Sequence, residues 1–131
     1  KDLGIIGVDS GWEIHIAGNG GIKVRVTDLL CKVETDEELL TYVKAFMQFY
    51  REDAYYLERT AHWVERTGLQ YLKDVMLNKE KVDFYASRFE VSQKSAQVDP
   101  WAKAIEEGFT KEFNPIVINP EQSHSFEAKE I

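Results

Sequence analysis

The sequence predicts an α+β fold, in which an N-terminal β-hairpin or small antiparallel sheet is packed by several C-terminal helices. The chain begins with short apolar and alternating runs, which are typical of strands. A helix-capping signature follows at Thr35, and apolar residues then recur at helical spacing. With 131 residues the chain has the size of one ordinary domain.

Three runs near the N-terminus are predicted strands. Residues 3–8 form an apolar run, while residues 12–17 and 22–26 alternate between apolar and polar. The Gly-Asn-Gly-Gly sequence of residues 18–21 separates the two alternating runs, and Asn-Gly supplies the positive φ angles of a tight turn. We therefore predict that residues 12–17 and 22–26 pair as a hairpin.

The alternation also sorts the side chains of this hairpin by face. The predicted core face carries Trp12, Ile14, Ile16, Ile22, Val24 and Val26. The opposite face carries Glu13, His15, Lys23 and Arg25. Lys23 and Arg25 would form a small cationic edge, which is either a solvated face or a site that neutralises a bound acid.

The first predicted helix begins at a capping box, Thr35 with Glu38 three residues later. Its apolar stripe, which we expect to pack on the hairpin, consists of Leu39, Leu40, Val43, Phe46, Met47 and Tyr50. Residues 53–77 continue the helical pattern with Leu57 among the apolar set. Gly68 either lies within one long helix or, as we favour, marks a break where residues 67–70 form a second capping box.

Two further helices follow. Residues 82–91 predict a helix with Phe84, Tyr85 and Phe89 as anchors. Residues 100–107 predict a short helix between an Asp99 cap and Gly108. We therefore expect strands within residues 3–33, helices within 36–107, and a tail or linker at 109–131.

Composition excludes several classes of function. The net charge of −7 disfavours nucleic-acid binding, and no apolar run is long enough to span a membrane. The single cysteine, Cys31, lies in an apolar run, so we expect a packing role and a cytoplasmic protein without disulfides. His15, His62 and His124 have no metal-ligand spacing. We predict no catalytic residue and no metal ligand.

The residues alone define a small domain with a glycine-rich turn, which lacks the lysine and hydroxyl residue of a phosphate-binding loop. A resemblance to a known family adds to what the residues alone define. Residues 11–26, GWEIHIAGNGGIKVRV, resemble the strand pair that follows the cluster cysteines in the sirohaem nitrite and sulfite reductases. Similarity to the large subunit of the NAD(P)H-dependent assimilatory nitrite reductases covers roughly residues 1–108, and it is carried by residues 27–33, 49–52, 56–60 and 63–66.

This resemblance implies that the chain is the C-terminal part of a sirohaem domain. The parent would reduce nitrite to ammonia with six electrons, at a sirohaem bridged to a 4Fe–4S cluster. The four cluster cysteines, in a C-x5-C and C-x3-C arrangement, would precede Lys1, and FAD and NAD(P)H domains would lie further upstream. We therefore expect this chain to bind no cofactor alone and to be inactive alone.

The resemblance implies cofactor-binding roles for Gly18, Asn19 and Gly20 near the macrocycle, and for Lys23 and Arg25 at its carboxylates. The implied partners are the remainder of the large subunit and the small subunit, and an uncovered apolar surface would favour self-association of the chain. Two alternatives remain open at this point: the equivalent part of a sulfite reductase, and a non-enzymatic helical protein-interaction module.

Overall fold

The computed structural model describes residues 1–108 and confirms the predicted α+β class. A three-stranded antiparallel sheet consists of β1 (Leu3–Val8), β2 (Gly11–Ile16) and β3 (Asp28–Val33), in the order β1-β2-β3. The helices are α1 (Asp36–Asp53), α2 (Thr60–Thr67), α3 (Leu69–Met76), α4 (Lys79–Ala96) and α5 (Pro100–Glu107). Residues 1–97 form one compact unit, and α5 belongs to a second unit that begins at Val98.

The predicted pairing of residues 12–17 with residues 22–26 is wrong. β2 instead pairs with β1 through the short turn at Asp9 and Ser10, and its other edge pairs with β3. A strand has only two edges that can form a ladder of hydrogen bonds, and neighbouring strands occupy both edges of β2. Residues 22–26 therefore leave the sheet, and their apolar side chains, predicted to be buried, are exposed: Ile22, Val24 and Val26.

The sheet and helices α1 to α4 share one hydrophobic core. Ile14 and Ile16 of β2 are fully buried in it, as the alternation predicted. The capping box of α1 is confirmed, because the Glu38 amide donates to Thr35 Oγ1 at 3.2 Å and the Thr35 amide donates to Glu38 Oε2 at 3.3 Å. Burial of apolar area in this core is the main force that holds the sheet on the helices.

Aromatic rings fill the centre of the core around Trp63, which is completely buried. The Phe49 ring meets the Trp63 ring edge-on, with 5.1 Å between centroids, a favourable aromatic geometry. The indole N–H of Trp63 donates to Asp53 Oδ2 at 2.7 Å. Trp63 is thus anchored by a hydrogen bond as well as by packing.

Several predictions for the helices need correction. α1 continues to Asp53, and residues 54–59 are a loop rather than the start of a helix. The break near Thr67 is confirmed at Gly68, whose φ is 88°. The second capping box is wrong, because the Thr67 hydroxyl donates back to the Trp63 carbonyl at 2.8 Å. Three predicted core residues are exposed: Leu40, Leu57 and Phe84.

The last two helices follow the sequence more closely. α4 contains the predicted residues 82–91 and extends beyond them at both ends. α5 has the predicted bounds, with Asp99 Oδ1 accepting from the Trp101 amide at 2.9 Å and Gly108 ending the helix at a φ of 74°. The predicted tail at residues 109–131 lies outside the described residues.

Glu58 fixes the loop that connects α1 to α2. Its two carboxylate oxygens accept from Arg66 Nε and from an Arg66 terminal nitrogen, both at 2.8 Å, and Oε2 also accepts from the Tyr55 amide at 2.9 Å. The hydrogen bonds from Arg66 and the Tyr55 amide lower the pKa of Glu58 to about 2. The same pair raises the pKa of Arg66.

The Glu58 pairing makes stability depend on pH. Because the folded pKa lies below the ordinary value of 4.5, the pairing stabilises the fold fully above about pH 4.5, and this contribution disappears as pH falls towards 2. We expect Glu58→Gln to lower the melting temperature at pH 6, and the difference from the wild type to decrease below about pH 4.5 and approach zero as pH falls through 2. Thermal unfolding at several pH values measures this, and a difference independent of pH would contradict it.

Candidate functional site

The candidate site is the loop of residues 18–26, which leaves the sheet between β2 and β3. Two backbone hydrogen bonds to the first residues of the chain fix its start. The Ala17 amide donates to the Asp2 carbonyl at 3.0 Å, and the Gly18 amide donates to the Lys1 carbonyl at 2.9 Å. Ala17 is fully buried with a φ of 61°, a left-handed conformation that costs an alanine about 1 kcal/mol. The chain therefore turns sharply out of the sheet at Ala17.

Gly18 and Gly20, both predicted to lie near a cofactor, differ in their surroundings. A Cβ atom at Gly18 would lie 2.6 Å from Thr27 Cγ2 and 2.9 Å from the Lys1 carbonyl oxygen. A Cβ atom at Gly20 would have no atom within 4 Å. Gly18 is therefore required by the close approach of this protein's own chain, whereas Gly20 leaves open space next to the backbone.

Asn19 closes the 18–26 loop. Its backbone exchanges two hydrogen bonds with Arg25, at 2.9 and 2.8 Å, and its side-chain amide donates to the Lys23 carbonyl at 2.8 Å. Its side-chain oxygen accepts from the Gly21 amide at 3.3 Å. The positive φ angles predicted for the Asn-Gly turn are absent from Asn19 and Gly20, because the side chain of Asn19 bridges the loop instead.

Both cations of the loop have carboxylate partners within the protein. Lys23 Nζ lies 3.0 Å from Glu65 Oε2 of α2, and Arg25 Nε lies 3.7 Å from Glu65 Oε1. Arg25 also donates to the Asp28 carboxylate at 2.5 Å and to the Ala17 carbonyl at 2.8 Å. The hydrogen bond from Lys23 is the largest cause that lowers the pKa of Glu65.

The two cations therefore have different freedom. The Arg25 side chain is 20% exposed, and its guanidinium ties the loop to Ala17 and to Asp28 of β3. The Lys23 side chain is 69% exposed and has one exposed ion pair. An exposed ion pair of this kind contributes little to stability and exchanges readily. Only Lys23 is thus free to turn towards a ligand without disturbing the loop.

The sequence predicted a turn at residues 18–21 and a strand at 22–26, whereas the structure places all five predicted site residues in one loop: Gly18, Asn19, Gly20, Lys23 and Arg25. It does not arrange Lys23 and Arg25 on one face of a strand. No motif in the sequence distinguishes Glu65 from the other carboxylates of the helices. Because 42 residues separate it from Lys23, no local pattern identifies the pair.

Among residues 1–108 there is no place for an iron–sulfur cluster. Such a cluster needs several thiolates, and Cys31 is the single cysteine of the whole chain. Its side chain is half-buried in β3, and burial raises the pKa of its thiol to about 11. No group of three or more His, Cys, Asp or Glu residues in this range could hold a metal ion. The packing role predicted for Cys31 fits these observations.

Within the same range no helix is long and apolar enough to cross a membrane. The fold and the loop thus describe a small α+β domain with a glycine-rich loop beside a three-stranded sheet, without a metal centre of its own among the described residues.

The sequence matches the family described as the nitrite and sulphite reductase 4Fe-4S domain over residues 1–84, a range that covers the whole sheet, the 18–26 loop and α1 to α3. The chain therefore belongs to the nitrite and sulphite reductase 4Fe-4S domain family, and the resemblance noted in the sequence is confirmed. No solved structure matches the chain.

Individual relatives agree with the family match. The chain is 46% identical over 107 residues to the NAD(P)H nitrite reductase of Bacillus subtilis (strain 168), an alignment that covers 82% of this chain and 13% of that protein. It is 44% identical over 80 residues to the NADH nitrite reductase large subunit of Escherichia coli (strain K12), covering 60% of this chain and 9% of the relative.

A sulfite reductase is also similar. The assimilatory-type sulfite reductase of Nitratidesulfovibrio vulgaris (strain Hildenborough) is 30% identical over 77 residues, which is 59% of this chain and 35% of that protein. The chain thus spans only a small part of the length of the relatives that it matches.

The contrast between the two glycines predicts a difference in stability. We expect Gly18→Ala to destabilise the chain by about 1–3 kcal/mol, because the added methyl group has no room against Thr27 and the Lys1 carbonyl. Gly20→Ala is the matched control and should change the free energy of unfolding by less than about 0.5 kcal/mol. Denaturant unfolding of both variants measures this, and equal effects would contradict the packing assigned to Gly18.

Proposed function

We propose that this chain is the C-terminal part of the sirohaem domain of a nitrite reductase large subunit, residues 1–108, followed by a tail or linker at 109–131. The parent would reduce nitrite to ammonia with NAD(P)H in the cytoplasm. The observation that carries this proposal is the family match over residues 1–84, which includes the sheet and the whole 18–26 loop. The higher identity to nitrite reductases than to the sulfite reductase supports nitrite as the substrate.

The chain would contribute structure rather than reacting groups. The thiolates that hold a 4Fe–4S cluster must come from elsewhere in the parent, because this chain has one cysteine with a strongly raised pKa. FAD and NAD(P)H sites would also lie in other domains, and the small subunit would be a partner. We therefore expect the chain alone to bind no cofactor and to have no activity.

The 18–26 loop would form part of the wall of the sirohaem pocket. When bound, sirohaem would bind the substrate anion and pass on to it the electrons that NAD(P)H supplies. The open space beside Gly20 lets a flat ring approach the backbone closely, and the exposed side chains of Ile22 and Val24 offer apolar contact. Lys23 could break its ion pair with Glu65 and bind a carboxylate of the macrocycle instead.

The other two predicted site residues would set the shape of this wall. Asn19 closes the loop through its backbone and side-chain hydrogen bonds, and Arg25 holds the loop to Ala17 and Asp28. Arg25 would reach the macrocycle only by giving up these contacts. We therefore propose that Lys23 binds a carboxylate directly and that Arg25 chiefly maintains the geometry of the loop.

The proposal predicts that Lys23→Ala in the complete reductase polypeptide weakens sirohaem retention about tenfold, the loss expected for one charge-assisted hydrogen bond. The measurement is haem absorbance per polypeptide after dialysis. Arg25→Ala should also reduce retention, with an added loss of stability because the loop loses its anchor.

Lys32→Ala is the matched control, because Lys32 lies on β3, is similarly exposed and pairs with a single carboxylate, Glu13, at 2.6 Å. Its haem content should equal that of the wild type. Unchanged haem content in Lys23→Ala and Arg25→Ala would contradict a pocket role for the loop. If the wild-type polypeptide reduced sulfite but not nitrite, sulfite would replace nitrite as the proposed substrate.

A further inference from the structure

The loop between α1 and α2 presents two large exposed side chains at its tip. Tyr56 is 93% exposed and Leu57 is 81% exposed, although they are adjacent in sequence and apolar in character. We call this pair the Tyr56–Leu57 knob. Large apolar side chains that project together from a surface are typical anchors of protein interfaces.

The backbone of the knob is unusual. Leu57 has a φ of 61°, in the left-handed region that disfavours a side chain as bulky as leucine. The residues on either side hold it there, because the Glu58 amide donates to the Tyr55 carbonyl at 3.0 Å and Glu58 Oε2 accepts from the Tyr55 amide at 2.9 Å. The loop thus retains an unfavourable conformation that points two apolar side chains outwards.

The helices on both sides hold this loop firmly. The Tyr50 hydroxyl of α1 donates to the Glu58 carbonyl, and Arg66 of α2 makes two hydrogen bonds of 2.8 Å to the Glu58 carboxylate. The Arg66 guanidinium also lies 3.9 Å from the centre of the Tyr55 ring. A backbone that is already held in one conformation loses little entropy on docking, so the backbone of the knob is preorganised for an interface.

The N-terminus of the chain lies next to this loop. Arg59, two residues after Leu57, donates to both oxygens of the Asp2 carboxylate at 3.0 and 2.7 Å, and the Thr60 hydroxyl donates to it at 2.7 Å. The chain aligns with only 13% of the length of the Bacillus subtilis relative. A polypeptide that continues before Lys1 would therefore enter beside the knob.

We propose that the Tyr56–Leu57 knob docks into an apolar pocket of the parent polypeptide, in the part that precedes Lys1. The inference rests on the proposed function only in requiring a longer parent chain. The Asp2 contacts fix where that part enters, and the knob locks its orientation against α1 and α2. The knob is thus an intramolecular interface, separate from the 18–26 loop.

Hydroxyl-radical footprinting tests the docking directly. The oxidation rates of Tyr56 and Leu57 are compared in the 131-residue chain and in the complete reductase polypeptide, with the radical dose normalised by an added dosimeter. We expect at least a fivefold lower rate for both residues in the complete polypeptide. Equal rates in the two proteins would overturn the proposal. A decrease in the oxidation rates of Tyr56 and Leu57 as the concentration of the 131-residue chain rises would also overturn the proposal, because it would indicate contact between copies of the chain.

A substitution with opposite effects in the two proteins gives a second test. Asparagine tolerates the left-handed conformation better than leucine, so Leu57→Asn should keep or raise the melting temperature of the 131-residue chain. In the complete polypeptide it should lower the melting temperature, because the docked side chain is lost. Leu40→Ala, at an exposed leucine of α1, is the control and should shift both proteins equally.

These outcomes are independent of the haem measurement. A knob that is protected in a polypeptide without sirohaem would support the docking and contradict the proposed function. Normal haem binding with an exposed knob and no effect of Leu57→Asn on the complete polypeptide would overturn the docking and leave the proposed function intact.

Discussion

The occupation of both edges of β2 is the constraint on which the rest of the sheet depends. β1 takes one edge through a short turn and β3 takes the other, so the chain between β2 and β3 has no strand to pair with. It must close on itself, and Asn19 provides the hydrogen bonds that do so. The glycine-rich segment is therefore a loop that projects from the sheet rather than the turn of a hairpin.

This arrangement separates the residues of the loop that contact the protein from those that face open space or solvent. Gly18, Asn19 and Arg25 face the protein: the first permits close packing against Lys1, and the other two hold the loop closed. Gly20 and Lys23 face open space or solvent. A loop whose base is fixed and whose tip is open can contribute one wall of a binding pocket, which is the role that we propose for the 18–26 loop.

The sequence allowed the fold class, the capping box at Thr35, the break at Gly68 and the short helix after Asp99 to be predicted, because each depends on residues close together along the chain. It misassigned the strand pairing, because residues 22–26 alternate as a strand would but compete with β1 and β3 for β2. The exposure of Phe84 was missed because helical spacing does not report which face finds a partner, and that of Leu57 because the residue lies in a loop rather than in the predicted helix.

The sequence indicated the residues of the candidate site but not their tertiary partners. The resemblance identified the five loop residues, but the partners of the cations, Glu65 and Asp28, follow from tertiary packing and change what those cations can do. Likewise, nothing local indicates that Asp2 holds the N-terminus beside Arg59.

The central claim is that the 18–26 loop borders the sirohaem of a nitrite reductase, and an experimental structure of the complete polypeptide with haem bound tests it most directly. We expect Lys23 Nζ to lie within about 3 Å of a macrocycle carboxylate, with Gly20 against the ring. A loop that lies on the outer surface, with the Lys23–Glu65 pair intact and no contact with the haem, would contradict it.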